Sequence, residues 1–284
     1  MKIGITGANG FLGKSLAAFL ISEGHFILSI NRFFPESDLQ NCDVIVHLAG
    51  ENIASGRWTE EKKKKIFDSR IVGTQILSEK ISKLQNPPKV FVTASAVGFY
   101  GDRGEEKLTE ESKPGAGFLS VVCQEWEKAA EKAKQRGIRV VHLRFGMILD
   151  PDGGALAKMI SVFQKGLGGI LGNGKQYVSW ITLEDAVHAI DHAIKNENLV
   201  GPVNAVAPYP VTNKELTKIL GKFLNRPTFL RMPAFWIKMI FGEMGKELFL
   251  NSIRAIPARL IKSRFIYQHP TLEMALKSFK ATRN

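Results

Sequence analysis

The 284-residue sequence holds only two cysteines, Cys42 and Cys123, and they form no pair motif. No disulfide framework is expected, and a reduced, cytoplasmic setting is the reading. No apolar run approaches the length of a membrane-spanning helix. The N-terminus has one lysine and a short apolar stretch but no small-residue cleavage site, so no signal peptide is expected. A nucleic-acid-binding motif is also missing, although the net charge is +12, from 39 Lys and Arg against 27 Asp and Glu. The densest basic cluster, Lys62 to Lys65, follows Glu60-Glu61 and precedes Asp68, and reads as a solvated helix face. Neither nucleic acid nor a membrane is expected as a partner.

Two near-motifs fail on what they lack. Gly169 to Lys175 matches most of a P-loop, but the next residue is Gln176, not the Ser or Thr whose hydroxyl holds Mg²⁺. That stretch also follows a helix rather than a strand, so no NTPase is expected. His188 and His192 stand four apart, yet the His-Glu-x-x-His order is absent. With Glu184, Asp191 and Lys195 they read as one solvated polar face, and no metal is expected.

What is present begins at the first residues. Lys2 to Thr6 is an apolar run that leads into Gly7-Ala8-Asn9-Gly10-Phe11-Leu12-Gly13. A helical pattern then places Leu12, Leu16, Phe19 and Leu20 on one face and stops at Gly24, and Phe26 to Ile30 follows as a second strand. This is one βαβ unit. Gly7 turns the chain off the strand, Gly10 lets backbone approach a pyrophosphate, and Gly13 lets helix and strand lie close. The first-turn N–H groups of the helix favour an anion. Gly7, Asn9, Gly10, Phe11, Leu12 and Gly13 are therefore candidate dinucleotide-binding residues. The second strand ends in Asn31-Arg32, where an NAD site carries an acid. A guanidinium pairs with a 2′-phosphate, so the expected cofactor is NADP.

Hydrophobic residues make up 44% of the chain, which suits one large α/β domain and a smaller lobe. Strands are expected at Val44–Gly50, Lys89–Thr93, Arg139–Leu143 and Pro202–Val206. Helices are expected at Glu60–Lys83, with Ile66, Ile71, Ile76, Leu77 and Ile81 buried, and at Gly117–Gln135, Gly154–Lys165 and Leu183–Lys195. Phe33 to Asp43 is too short for a helix, a strand and a return, so the usual third strand of the doubly wound sheet is expected to be missing. The second strand then becomes the edge. Residues 1–150 form the expected NADP-binding Rossmann domain, with 177–207 returning to it. Residues 151–176 and 208–284 form a smaller, mostly helical C-terminal substrate lobe.

Several stretches together resemble the extended, atypical branch of the short-chain dehydrogenase/reductase superfamily: Thr6 to Gly13, His47-Leu48-Ala49-Gly50, Thr93 to Gly101, Trp180 to Asp185 and Gly201 to Asn204. More narrowly the chain is similar to the epimerase-like family with a C-terminal domain of unknown function. That likeness rests on Leu48 to Ala54 with Gly56-Arg57-Trp58, on Asp68-Ser69-Arg70, and on Ala255 to Leu260. The resemblance implies that Leu48, Ala49 and Gly50 lie along the cofactor and that Ser95 and Tyr100 lie near the nicotinamide. It implies an oxidoreductase or epimerase acting on a small carbonyl or sugar-nucleotide-like substrate. One departure stands out. Where the superfamily carries Tyr-x-x-x-Lys, this chain has Phe118 and Val122. Ser95 and Tyr100 become the candidate catalytic residues, with Cys123 and Glu125 as further proton donors. Glu51 and Arg57 either bind a polar substrate or cap and order their loop. The alternative function is a non-catalytic NADP(H)-binding sensor or assembly protein.

Overall fold

The computed structural model describes residues 1–31 and 34–281. Its apolar runs form strands β1 (Lys2–Thr6), β2 (Phe26–Ile30), β3 (Val44–His47), β4 (Val90–Ala96), β5 (Arg139–Phe145) and β6 (Gly201–Ala205). They make one parallel sheet in the order β2-β1-β3-β4-β5-β6. Among the described residues no strand lies between β2 and β3 in the chain, and β2 is the edge of this sheet.

Helices cover both faces, as a buried parallel sheet requires. They are α1 (Phe11–Ser22), α2 (Glu36–Leu39), α3 (Glu60–Lys83), α4 (Phe118–Ala129), α5 (Gly154–Gln164) and α6 (Leu183–Lys195). Ile3, Ile5, Val44, Val46, Val92 and Val141 face Leu16 and Leu20 of α1 and Ala186, Ala189 and Ile190 of α6. The alternate residues Ile45, Phe91 and Val140 face Leu77 and Ile81 of α3.

The C-terminal lobe holds α7 (Asn213–Leu224), α8 (Ala234–Gly245), α9 (Ala258–Lys262) and α10 (Leu272–Ala281). A further apolar cluster joins Leu156 and Ile160 of α5 and Trp180 to Leu216 and Leu220 of α7 and Leu272 and Leu276 of α10. Among the described residues no helix is long and apolar enough to cross a membrane.

Four local expectations change. The helix expected to reach Gln135 stops at Ala129 and continues as a 3₁₀ turn, Glu131–Arg136. The Ala133 N–H bonds the Ala130 carbonyl at 3.2 Å, an i to i+3 bond, and the buried Ser78 hydroxyl braces that turn by donating to the same carbonyl and accepting from the same N–H. Ile76 is exposed rather than buried. Within the glycine-rich stretch, Gly169–Leu171 is a short strand paired with Leu230–Met232. The polar face of α6 is solvated only at Glu184 and Lys195; its two histidines are packed. The His188 ring packs edge-on against Phe19, and His192 contacts the Ser263 hydroxyl at 2.8 Å. The reason is tertiary: α1 and the C-terminal segment lie over this face.

Candidate functional site

The glycine turn lies at the carboxyl end of β1. Gly7 has a φ of +73°, a region that glycine enters freely, and its N-terminal half-turn is closed by the Gly10 N–H donating to the Gly7 carbonyl at 2.9 Å. A side chain on Gly7 would press the Ala49 backbone nitrogen at 2.9 Å. A side chain on Gly13 would overlap the Gly7 carbonyl oxygen. The turn is thus held against both Leu48-Ala49 and its own helix. No side chain caps the N-terminus of α1, because the capping position is Gly10. Its first-turn N–H groups and dipole face a cradle without side chains, which fits a phosphate. Asn9 and Phe11 are exposed at its rim. The Phe11 ring also rests on Gly153 and Gly154, where α5 begins. Leu12 packs against the main core.

The end of β2 stands beside this turn, since Ile30 pairs in register with Thr6. Asn31 follows it and is exposed. Arg32 lies outside the described residues.

Leu48, Ala49 and Gly50 continue β3. Below them the Thr6 hydroxyl lies 2.6 Å from His47 Nδ1 and accepts the Ala49 N–H at 3.4 Å. His47 is buried, its Nε2 has no partner, and burial pulls its pKa down to about 4, so the ring is neutral at pH 7. The Asp68-Ser69-Arg70 motif fastens the next residues. Ser69 Oγ accepts the Glu51 N–H at 3.0 Å, and Arg70 donates to the Glu51 carbonyl at 3.0 Å while its guanidinium lies against Gly50.

Of the two candidate substrate residues, Glu51 pairs with Lys62 at 2.5 Å, and that hydrogen bond holds its carboxyl below the usual range. Arg57 donates to the Met239 carbonyl of α8 at 3.3 Å. The fold therefore sends them in different directions, Glu51 to α3 and Arg57 to α8. The next residue, Trp58, meets the Phe118 ring edge-to-face, with centroids 5.2 Å apart.

Ser95 and Tyr100 are brought into one buried network. Ser95 and Asn204 flank Arg144 in register on β4, β5 and β6. Ser95 Oγ donates to Glu127 of α4 at 2.7 Å. Arg144 grips the same carboxylate twice, at 2.7 and 2.8 Å, and donates to the Tyr100 hydroxyl at 2.9 Å. Tyr100 donates onward to Asn204 at 2.7 Å. The Arg144 guanidinium also stacks over the Phe99 ring at 3.5 Å. Tyr100 is wholly buried, and burial raises its pKa above that of a free phenol. Its proton stays on.

The other candidate donors fare differently. Cys123 is buried, and burial pushes its thiol up to about 12, so it is a packed, protonated group. Glu125 is partly exposed, with Lys128 3.8 Å away. Phe118 and Val122 occupy the first turns of α4. The cap of that helix comes from the distant chain: Glu247 accepts the Leu119 N–H at 3.4 Å, at a Gly117 whose φ is +106°.

Sequence reading did not single out Glu127 or Glu247. Arg144 carried a signal, a charge near the end of a mostly apolar strand run. Glu247 carried none, because its role depends on a contact 128 residues away.

The strand order and the glycine turn define a Rossmann-type chain of the short-chain dehydrogenase/reductase kind. A model of the NAD dependent epimerase/dehydratase family matches residues 3–206, and a domain of unknown function, DUF1731, matches residues 232–279. The chain belongs to the NAD dependent epimerase/dehydratase family. It is 39% identical to the epimerase family protein ML0860 of Mycobacterium leprae, over 99% of this chain and 96% of that one. It is 37% identical to the epimerase family protein YfhF of Bacillus subtilis, over 100% and 99%. The crystal structure of human epimerase family protein SDR39U1 (isoform 2) with NADPH superposes with a TM-score of 0.91, at 31% identity over 99% of both chains.

Proposed function

We propose that this chain is an NADP(H)-dependent oxidoreductase or epimerase acting on a small carbonyl or sugar-nucleotide-like substrate. The observation that carries the cofactor half is the side-chain-free cradle between Gly7, Gly10 and Leu48-Ala49 at the uncapped start of α1. Gly7, Asn9, Gly10, Phe11, Leu12 and Gly13 would hold the pyrophosphate end. Asn31 and Arg32 would meet the adenosine ribose and its 2′-phosphate, and Leu48, Ala49 and Gly50 would line the path to the nicotinamide. NADPH in the human relative's crystal supports this choice. When bound, the cofactor supplies or accepts a hydride at C4 of its nicotinamide.

The protein's part is to orient the substrate and move a proton. In the oxidising direction a substrate hydroxyl donates to Ser95 Oγ as the Ser95 proton moves to Glu127, 2.7 Å away. Arg144 keeps that carboxylate in place, and Tyr100 in turn accepts from Arg144. Residues 151–176 and 208–284 would form the substrate lobe. A fluorescence titration with NADPH and NADH tests the cofactor reading. Tight NADPH and weak NADH binding supports it, and binding of neither sinks it.

A second reading has its own observation. Both candidate hydroxyls are buried and already partnered, and Phe118 and Val122 stand where a reductase needs Tyr and Lys. That arrangement suits a non-catalytic NADP(H)-binding sensor or assembly protein. Ser95→Ala separates the two. Slowed oxidation of bound NADPH across a carbonyl and sugar-nucleotide panel, at unchanged melting temperature, favours catalysis. A fall in melting temperature alone favours the second reading.

A further inference from the structure

The C-terminal part carries an apolar surface that no other described residue covers. Phe229 is 80% exposed, Phe235 68%, and Trp236, Met239 and Ile240 each 49%. The last four share one face of α8, at spacings of three and four residues, while Ile237 and Met244 point into the protein. Leu230 and Met232, on the strand that leads into α8, add to the same exposed surface. Isolated exposed apolar side chains are ordinary; two aromatic rings in contact within a run of them are not.

The sequence that leads into and through this face is basic. From Leu216 to Gly242 the chain has no Asp or Glu, but it has Lys218, Lys222, Arg226, Arg231 and Lys238. Lys238 and Lys246 stand on the rim of one hollow beside Ala234. The acid in that hollow, Asp102, is engaged by the N–H groups of Ser252 and Gly104. The next acid along the chain, Glu243, is paired with Lys63 at 3.1 Å.

We propose that α8 and the strand before it form a docking surface for an anionic phospholipid bilayer, lying in the plane of its headgroups. Apolar rings beside an excess of cations, with the neighbouring acids Asp102 and Glu243 already engaged, match an interface that is negative outside and apolar beneath. The same cations count against a second copy of this chain as the occupant, because a two-fold contact would set Arg231, Lys238 and Lys246 against themselves. The sequence alone gave no membrane partner, since its densest basic cluster belongs to α3 and the exposure of α8 is a property of the fold.

The protein contains its own probe. Trp58, Trp126 and Trp180 are buried, so Trp236 alone among the four tryptophans is exposed to report on lipid. The full chain is mixed with vesicles of phosphatidylcholine containing about a quarter phosphatidylglycerol, and with phosphatidylcholine alone. The expected result is a blue shift of Trp236 emission and pelleting with the anionic vesicles, at least about tenfold weaker with the neutral ones and weakened by salt. Phe235→Ser with Ile240→Ser should lower vesicle binding about tenfold while leaving NADPH binding unchanged. No pelleting with anionic vesicles overturns the proposal. So does equal pelleting of the double variant, which would mean charge attraction alone, or a Trp236 shift that follows protein concentration without vesicles, which would mean self-association.

Discussion

Single residues decide most of the chemistry near the ends of β3, β4 and β5. His47 is neutral because burial disfavours its cation, with pKa pulled from 6.5 to about 4. Above pH 6.5 neither the folded nor the unfolded chain holds a proton there. Between pH 6.5 and 4 only the unfolded chain does, so stability falls as the pH falls. The loss reaches roughly 3 kcal/mol by pH 4. Urea unfolding of the native chain and of His47→Gln across this range checks it, the variant showing the shallower slope. Arg144 is the second case. It is buried, and its partners Glu127, Tyr100 and the Phe99 ring were all placed around a cation. Arg144→Met leaves the Glu127 carboxylate without its cation, with only the Ser95 hydroxyl still donating to it, and is expected to cost about 3–5 kcal/mol in urea unfolding.

At the scale of elements, α1 is positioned by the absence of side chains. Gly13→Ala puts a methyl into the Gly7 carbonyl and within 2.9 Å of the Ala8 Cα, both backbone that cannot move aside. The expected outcome is a loss of about 1–3 kcal/mol and NADPH binding weakened at least about tenfold, read by thermal melts and fluorescence titration. Gly73→Ala is the contrasting change. Gly73 lies inside α3 with open space around it and no positive φ. It should stabilise the chain by about 0.4–1 kcal/mol. Helix α4 shows the opposite kind of dependence, since its start is capped by a carboxylate from the C-terminal lobe rather than by its own sequence.

For the whole molecule, the question is what fastens the lobe to the sheet. Asp185, at the start of α6, is fully buried and accepts the Gln268 and His269 N–H groups at 2.7 and 3.0 Å. Asp185→Ala leaves both donors unpaired, each worth about 1–3 kcal/mol. The prediction is faster hydrogen exchange throughout α10, with the amides of β1 to β4 unchanged. The Rossmann half of the chain was legible because its signals are local: an apolar run of strand length, a glycine turn and a helical stripe each lie within a few residues. The short stretch between β2 and β3 likewise excluded a further strand by length alone. The sequence by itself therefore determined the sheet, its edge and the glycine cradle. Only the tertiary structure decided that Ser95 and Tyr100 share a buried network with Glu127, that the histidines of α6 are packed, that Glu247 caps α4 and that the apolar face of α8 is open. Each of these depends on contacts between residues far apart in the chain, whose burial and pairing no local pattern of residue types encodes.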